Sequence, residues 1–393
     1  MRVQAMSHLN TIYNQLLHLI PRHKFDSLVL KHSGDYYTKS FDSWQHFITL
    51  LYAQIKSKDS LRDIVTGLIT HQSDWYHIGL ENIHRSTLSD ANNRRNYQIF
   101  EGIFGELLSR CKDITPKHKF RFDNPLYSLD ASVIDLCLNM FPWAVFRKKK
   151  GGIKLHCLLE HKADCLPDFL VITDAKQHDV RVAKDMDLPI LSDSIISVDR
   201  AYIHFKWLYS LKLRRIWFVT RAKENIQYKV VGQQKPNKKK GVIFDKTIKL
   251  TGFYAKQDYP EELRMIKYRD KETDKTLVFL TDNFYLAAST IAQIYKSRWQ
   301  IELFFKWIKQ NLKIKSFLGT SKNAVLSQIW VAMCYYLIVA YIKYQTKYSY
   351  SLLELTRLLS EAIFLRVSIL DLLSLNSNTL HRIRSPDEQL RLF

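Results

Sequence analysis

Glu302 is an isolated carboxylate in a strongly basic stretch of this 393-residue chain. No other Asp or Glu occurs between Asn283 and Leu353. The basic residues around it are Lys296, Arg298, Lys306, Lys309, Lys313 and Lys315. A charge run is most often the solvated face of a helix, but such a face normally carries several acidic partners for its lysines. A lone carboxylate among cations therefore suggests a chemical role.

Two aspartates occur where strands of a sheet are expected to end, and they could act together with Glu302. Asp130 follows the strand-like residues 126–129, and Asp199 follows residues 194–198. Phosphodiester cleavage needs an activated oxygen nucleophile and a stabilised leaving oxygen, which two divalent ions about 3.5 to 4 Å apart can provide. Such ions prefer carboxylate oxygens. Asp130, Asp199 and Glu302 are thus candidate metal ligands.

Three other aspartates are rivals for these positions. Asp123 and Asp193 precede their predicted strands, and Asp135 faces away from Asp130 if the strand continues that far. Any such aspartate taken alone is more often a cap or a turn residue. Only the combination with the basic stretch favours the set proposed above.

A second group of potential ligands is His156, Cys157, His161 and Cys165. Their spacing matches none of the usual zinc patterns. Adjacent residues of a strand also point to opposite faces, which separates His156 from Cys157. Zinc binding is the less favoured alternative.

Residues 295–315 are predicted to form a helix that positions Glu302. Apolar residues recur at spacings of three and four, and no Pro or Gly occurs before Gly319. At about 100° per residue, one stripe roughly 60° wide holds Tyr295, Arg298, Glu302 and Lys309, with Lys306 and Lys313 beside it. The helix would therefore present one apolar face and one face suited to an anionic partner.

Short apolar runs bounded by turn residues predict a mixed sheet covered by helices after residue 124. Strands are expected at residues 126–136, 152–160, 167–174, 194–199 and 214–223. Gly151 and Gly152 are predicted to form the hairpin turn between the first two strands. Further β-like pieces follow up to residue 285, and residues 226–242 contain five Lys and no acid. That segment is equally compatible with a solvated loop and with a hairpin that faces DNA.

The composition favours a globular protein with a polyanionic partner. The formal net charge is +21, and 46% of the residues are hydrophobic. Five scattered Cys without a CxxC pair suit a reducing cytosol. No signal peptide is expected at the N-terminus. The uncharged apolar residues 329–342 fall short of a membrane span and are predicted to form a buried helix.

The spacing Tyr295-x2-Arg298-x3-Glu302-x6-Lys309 resembles the YREK signature of DDE transposases of the insertion-sequence-4 family. The segments DASVID, which begins at Asp130, and SVDRAY, which contains Asp199, resemble the two aspartate motifs of that family. The segments FRKKKGGIKLHCLLE and RWQIELFFKWIKQNLKIKSFLGTS are also similar to family blocks. The resemblance extends over most of the chain.

The resemblance implies an α/β fold with a ribonuclease-H-like mixed sheet and helices, interrupted by a β-rich insertion and preceded by an N-terminal helical domain. The implied segments are a helical DNA-binding region (1–124), the first part of the catalytic core (125–223), the insertion (224–285), the second part of the core with the YREK helix (286–345) and a C-terminal helical region (346–393).

The resemblance also implies the chemistry. Asp130, Asp199 and Glu302 would hold two Mg²⁺ ions, with Mn²⁺ as a substitute. The DNA-binding residues would be Tyr295, Arg298, Lys306, Lys309 and Lys313. The reaction would be excision and integration of an insertion sequence by phosphodiester hydrolysis and strand transfer, through a hairpin on the cleaved end.

The implied partners are double-stranded DNA with inverted-repeat ends, target DNA and a second copy of the chain in a synaptic dimer. No membrane is expected, and the expected location is the bacterial cytoplasm, in association with the nucleoid. A catalytically silent DNA-binding repressor or domesticated relative is the main alternative, because it would keep the basic surface. A different nuclease of the same fold, such as a resolvase, is a third option that the YREK spacing argues against.

Overall fold

The structure is a computed structural model that describes residues 10–147, 150–162, 166–185 and 188–374. The chain forms two compact units. Unit 1 comprises Met1–Thr115 and Asn311–Phe393, and unit 2 comprises Pro116–Gln310. Unit 1 is therefore built from the two ends of the sequence, with unit 2 inserted between them.

Helices make up the described part of unit 1 and cover parts of unit 2. The α-helices are α1 (Ile12–His18), α2 (Arg22–Lys31), α3 (Ser43–Ile55), α4 (Leu61–Ile69), α5 (Trp75–Ile78), α6 (Arg85–Arg94), α7 (Gln98–Ile114), α8 (Asp179–Asp185), α9 (Phe205–Leu213), α10 (Phe253–Asp258), α11 (Ala288–Ser297), α12 (Trp299–Asn311), α13 (Lys322–Gln345), α14 (Leu352–Ala362) and α15 (Ile369–Ser374).

The core of unit 1 forms around α13, which packs against α3 and α7. The predicted buried helix at residues 329–342 is confirmed, because every one of these residues except Tyr341 is buried. By length and composition α13 could cross a membrane, yet 94% of its most apolar stretch is buried inside the protein. It is the central helix of a packed core, as expected for a helix that is apolar on all sides.

Side-chain caps fix where several helices of unit 1 begin. Asp42 accepts a hydrogen bond from the backbone N–H of Gln45 at the start of α3. Ser351 and Glu354 form a reciprocal capping box at the start of α14. These caps satisfy backbone N–H groups that have no partner within the helix, and each is worth about 1 kcal/mol.

Unit 2 is built on one mixed sheet. Its strands are β1 (Leu126–Leu136), β2 (Val145–Arg147), β3 (Lys150–Glu160), β4 (Leu166–Asp174), β5 (Ser194–Val198), β6 (Ile216–Arg221), β7 (Tyr228–Gln234), β8 (Val242–Leu250), β9 (Leu263–Arg269) and β10 (Thr276–Thr281). The order is β2-β3-β1-β5-β6-β10-β9-β8-β7, and β4 also pairs with β3. The chain is thus an α/β protein with a large mixed sheet, as predicted.

The first strands run as the sequence pattern predicted. β1 pairs antiparallel with β3, and β3 pairs antiparallel with β4. β1 and β5 are parallel, as are β5 and β6. The helices α8 and α9 lie between these strands in the sequence, and all five residues of β5 are buried. This places Asp130, which lies within β1 rather than at its end, beside the end of β5, where Asp199 follows.

The prediction of a hairpin turn at Gly151 and Gly152 is wrong. Both glycines lie within β3, where they pair with Leu136 and Asp135 of β1. A Cβ atom on Gly151 would lie 2.6 Å from the carbonyl oxygen of Leu136. The glycine is needed here because two backbones approach closely, rather than because the chain turns.

The β-like segment after residue 224 does form strands, and they extend the same sheet. β10 pairs antiparallel with both β6 and β9, and β8 pairs antiparallel with β7 and β9. β7 is largely exposed, whereas β8 and β9 contribute buried residues such as Ile248 and Leu263 to a core cluster.

The single helix predicted at residues 295–315 is divided in the structure. Tyr295 lies on α11, Glu302 and Lys309 lie on α12, and Arg298 is the junction. The N–H of Arg298 bonds to the carbonyl of Tyr295, and the N–H of Ile301 bonds to the carbonyl of Arg298. These bonds span three residues instead of four, so the α-helical hydrogen-bond pattern tightens at Arg298.

Candidate active site

Asp130 and Asp199 occupy neighbouring positions on two parallel strands. Leu129 of β1 pairs with Val198 of β5, and Asp130 and Asp199 are the residues that directly follow these two in the sequence. Neighbouring strands lie about 4.8 Å apart. Both side chains are half-buried. The sheet therefore brings these two predicted ligands together, although they are 69 positions apart in the sequence.

Glu302 joins Asp130 through Arg298. Nη1 of Arg298 donates to Oδ2 of Asp130 at 3.1 Å, and Nη2 donates to Oε1 of Glu302 at 2.6 Å. Arg298 is only 8% exposed, and its guanidinium group forms ion pairs with both carboxylates. A planar guanidinium suits such a double contact better than an ammonium group would. One cation thus links β1 to α12.

The surroundings of Asp130 disfavour its charged form. Burial raises the pKa of Asp130 to about 6, and the charges of Glu302 and Asp199 act in the same direction. The N–H of Ala131 and the guanidinium of Arg298 oppose this rise in pKa. The negative charges of Glu302 and Asp199 thus disfavour ionisation of Asp130, and a nearby cation favours its charged form.

The three carboxylates suit a divalent cation by their chemistry, because Mg²⁺ and Mn²⁺ prefer hard oxygen ligands. Arg298 already shows that a cation between Asp130 and Glu302 is compatible with the fold. In the described ranges, no three His, Cys, Asp or Glu side chains are close enough to hold a metal ion as they stand.

The three rival aspartates have different surroundings from the candidate ligands. Asp123 and Asp135 are exposed, and Asp193 forms a salt bridge with Arg215 at 2.7 Å. Asp193 also has a φ angle of +60°, a backbone conformation that Asp adopts in turns.

Tyr295 lies inside the protein rather than on an open face. The residue is 9% exposed, and its ring packs against Phe279 with ring centroids 5.1 Å apart. The guanidinium carbon of Arg298 lies 5.7 Å from the centre of the Tyr295 ring. The buried Tyr295 ring therefore packs against the guanidinium group of Arg298.

The three lysines of the predicted DNA-binding set have different surroundings. Lys306 is exposed on α12. Lys309 donates to the hydroxyl of Ser132 at 2.6 Å and to the carbonyl of Val133 at 2.7 Å, so it anchors α12 to β1. Lys313 belongs to unit 1, where its ammonium group lies 2.5 Å from a carboxylate oxygen of Asp59.

A buried hydrogen-bond chain links the strand of Asp130 to the helix of Glu302. Nε2 of His161 lies 2.6 Å from the hydroxyl of Ser128, and Nδ1 lies 2.8 Å from Oε1 of Gln300. Burial lowers the pKa of His161 to about 4, so the imidazole is neutral near pH 7. The amide oxygen only accepts, so Nδ1 carries the proton and Nε2 accepts from Ser128.

Sequence reasoning did not find this chain. Ser128 and Gln300 each precede a candidate carboxylate by two residues, so they provide parallel supports for Asp130 and Glu302. His161 was considered only as a zinc ligand. No sequence signal connects the three residues, because the contact exists only after β1 and α12 have packed.

The zinc alternative finds no support among its described residues. Nε2 of His156 lies 2.9 Å from the hydroxyl of Thr173, and both ring nitrogens of His161 already have partners. Cys157 is buried, and as the neighbour of His156 on β3 it lies on the opposite face of the strand. Cys165 lies outside the described residues.

Comparisons with known proteins identify the family of the chain. The model of a family described as "Transposase DDE domain" matches residues 122–338, which include all three carboxylates. The model of a family described as a domain of unknown function (DUF4372) matches residues 8–81. The chain belongs to the DDE transposase family, and it is an enzyme of the DDE type that acts in DNA transposition.

Curated relatives include bacterial transposases. A putative transposase y4zB of Sinorhizobium fredii (strain NBRC 101917 / NGR234) is 32% identical over 286 residues, which cover 72% of this chain and 78% of the relative. The probable transposase for insertion sequence element IS5377 of Geobacillus stearothermophilus is 27% identical, with 68% and 70% covered. A putative transposase for insertion sequence element IS4SA of Synechocystis sp. (strain ATCC 27184 / PCC 6803 / Kazusa) is 24% identical, with 66% and 72% covered.

Proposed function

We propose that Asp130, Asp199 and Glu302 form the metal-binding triad of a transposase that excises and integrates an insertion sequence. The observation that carries this proposal is the contact of Arg298 with both Asp130 and Glu302, beside Asp199 on the neighbouring strand. These three carboxylates would hold two Mg²⁺ ions, or Mn²⁺ as a substitute. Bound ions would activate the attacking oxygen and stabilise the leaving oxygen of the phosphodiester.

The protein's own residues would place the DNA backbone at the carboxylates. Arg298 would exchange its carboxylate contacts for a phosphate, since a guanidinium binds both groups in the same fork geometry. Tyr295 would hold the guanidinium group in position, and the exposed Lys306 would neutralise a further phosphate. Lys309 and Lys313 would contribute when DNA competes with their present partners.

The finer features of the fold are part of the same proposal. The strand order β4-β3-β1-β5-β6, with β1, β5 and β6 parallel, supports a ribonuclease-H-like core. Residues 125–223 and 286–345 would form the catalytic core and residues 224–285 an insertion, although α13 at the end of the second part packs within unit 1. Residues 1–124 would be a helical DNA-binding region, and residues 346–393 a C-terminal helical region.

The reaction would proceed by hydrolysis and strand transfer, through a hairpin on the cleaved end. The substrates would be inverted-repeat ends and target DNA, brought together by a dimer because two ends require two active sites. The protein would act in the bacterial cytoplasm at the nucleoid. These assignments extend the resemblance to insertion-sequence-4 transposases.

Cleavage of a DNA fragment that carries the native element ends tests the triad. Asp130→Asn should lower the cleavage rate more than about a hundredfold, since even outer-shell changes at metal sites cost 10- to 100-fold. Asp135→Asn is the matched control, because Asp135 is an exposed residue on the opposite face of the same strand. Equal cleavage by Asp130→Asn and the wild type would refute the triad. A wild-type protein that binds the ends but never cuts them would indicate the repressor alternative.

A further inference from the structure

A basic cleft of about 780 Å³ lies in unit 2, and its lining includes none of the carboxylates and basic side chains of the candidate active site. Its basic side chains come from four separate segments. They are Lys119 and Arg121 before β1, Lys239 and Lys240 between β7 and β8, Lys271 between β9 and β10, and Lys296 on α11. Lys239 and Lys240 belong to the lysine-rich segment 226–242, whose role the sequence left open.

Backbone geometry fixes the lysine-rich turn beside the turn between β9 and β10. Gly241 has a φ angle of +81°, and a Cβ atom there would lie 2.5 Å from the carbonyl oxygen of Arg269. The N–H of Arg269 also donates to the carbonyl of Gly241 at 2.8 Å. The side chain of Asn237 accepts from the N–H of Lys240 at 3.2 Å. The lysines are therefore presented by an ordered turn.

The basic cleft carries an uncompensated positive charge. Its lining contains six basic side chains and two acidic ones, Asp270 and Glu272. Both acids pair with Lys296, at 3.5 Å in the case of Asp270. The other five cations make no ion pair with any residue that the structure describes. Grouping them on one concave surface is unfavourable unless an anion binds there.

We propose that the basic cleft binds the phosphodiester backbone of duplex DNA, at a place separate from the three carboxylates. Cations from several segments suit a ligand with repeated charges better than one with a single anionic group. Contacts to phosphates position a protein on duplex DNA and carry no sequence information, so this binding is independent of sequence. This inference rests on the proposed function, because it assigns a second contact surface to the same DNA.

Salt-dependent DNA binding tests the basic cleft. We compare Lys239→Ala/Lys240→Ala with the matched control Lys229→Ala/Lys235→Ala, which removes two exposed lysines of the same segment that do not line the cleft. Each duplex phosphate contact contributes about 0.9 to the slope of log Kd against log salt. The cleft variant should lower that slope by nearly two, and the control should leave it near the wild-type value. The loss should be equal for duplexes with and without the element ends.

A third double variant, Lys119→Ala/Arg121→Ala, separates the cleft from the turn alone. It should lower the slope as much as the Lys239 and Lys240 variant does, because both pairs face one cleft. An unchanged slope in either variant, or an equal loss in the control, would overturn the proposal. Cleavage at saturating DNA reports on the carboxylates independently: a cleft variant that binds weakly but cuts normally leaves the proposed function intact. Thermal denaturation confirms that each variant is folded.

Discussion

Nη1 of Arg298 lies 3.1 Å from Oδ2 of Asp130, a residue 168 positions earlier in the sequence. The same guanidinium group binds Glu302, so the residue just before α12 joins that helix to β1. Arg298 is therefore both a candidate DNA contact and the counter-ion that holds two carboxylates together before any metal ion binds.

Replacement of Arg298 should reveal its role as the counter-ion of the two carboxylates. Arg298→Met leaves Asp130 and Glu302 without their shared cation, so we expect a loss of about 1 to 3 kcal/mol in the free energy of unfolding without metal. Thermal denaturation with and without Mg²⁺ measures this loss. Because Mg²⁺ would replace the missing charge, it should raise the melting temperature of Arg298→Met more than that of the wild type. Lys306→Met, an exposed change on α12, is the control, and equal Mg²⁺ responses of Arg298→Met and the wild type would argue against a metal ion at these carboxylates.

Glu302→Gln should abolish cleavage of end-containing DNA and leave binding nearly unchanged. The amide oxygen can still accept from Arg298, so the junction between α11 and α12 should persist, while the negative charge that a metal ion requires is lost. Cleavage assays and binding titrations on the same DNA measure the two effects. A Glu302→Gln protein that cuts at the wild-type rate would exclude Glu302 from the triad.

Lys309→Ala should weaken DNA binding and lower the salt slope by about one unit if the ammonium group contacts a phosphate. The structure adds a second expectation, because Lys309 also anchors α12 to Ser132 and Val133 of β1. The variant should therefore be less stable, by about 1 to 2 kcal/mol. Lys306→Ala on the exposed side should lower the slope without this loss. A Lys309→Ala protein with a wild-type salt slope would restrict Lys309 to the structural role.

Buried histidines should make the fold sensitive to acid. The pKa of His161 falls from 6.5 to about 4 on folding, so the unfolded chain binds the proton first and stability declines as the pH falls from 6.5 towards 4. The shift corresponds to about 3 kcal/mol at the lower end of that range. His161→Gln can make both hydrogen bonds without titrating, and its melting temperature should fall less over this pH range. A wild-type pH profile in this variant would show that His161 is not responsible.

Much of unit 2 could be predicted because its strands follow local rules. β1, β5 and β6 are short apolar runs bounded by turn residues, and Asp130 and Asp199 were recognised by their positions relative to such runs. The α/β class and the transposase family followed from these patterns and from the spacing around Glu302. Local sequence carries this information because strand alternation and helix periodicity depend on nearby residues.

The features that were missed or wrong depend on contacts between distant residues. Gly151 and Gly152 were assigned to a turn, yet the opposite strand is what requires glycine there. The interruption at Arg298 accompanies its bond to Asp130, and the partners of His161 meet only in the folded sheet. The metal and DNA roles of the site residues are predictions that the cleavage and binding assays above test.

The position of α13 has a consequence for biosynthesis. A ribosome produces α3 and α7 early, but the helix against which they pack follows only after all of unit 2 has been made. The faces of α3 and α7 that contact α13 therefore lack this partner while unit 2 emerges, and exposed apolar surfaces are prone to aggregate or to recruit chaperones. Nascent chains that stop before Lys322 lack the core helix of unit 1, so unit 1 can complete its core only after α13 has been translated.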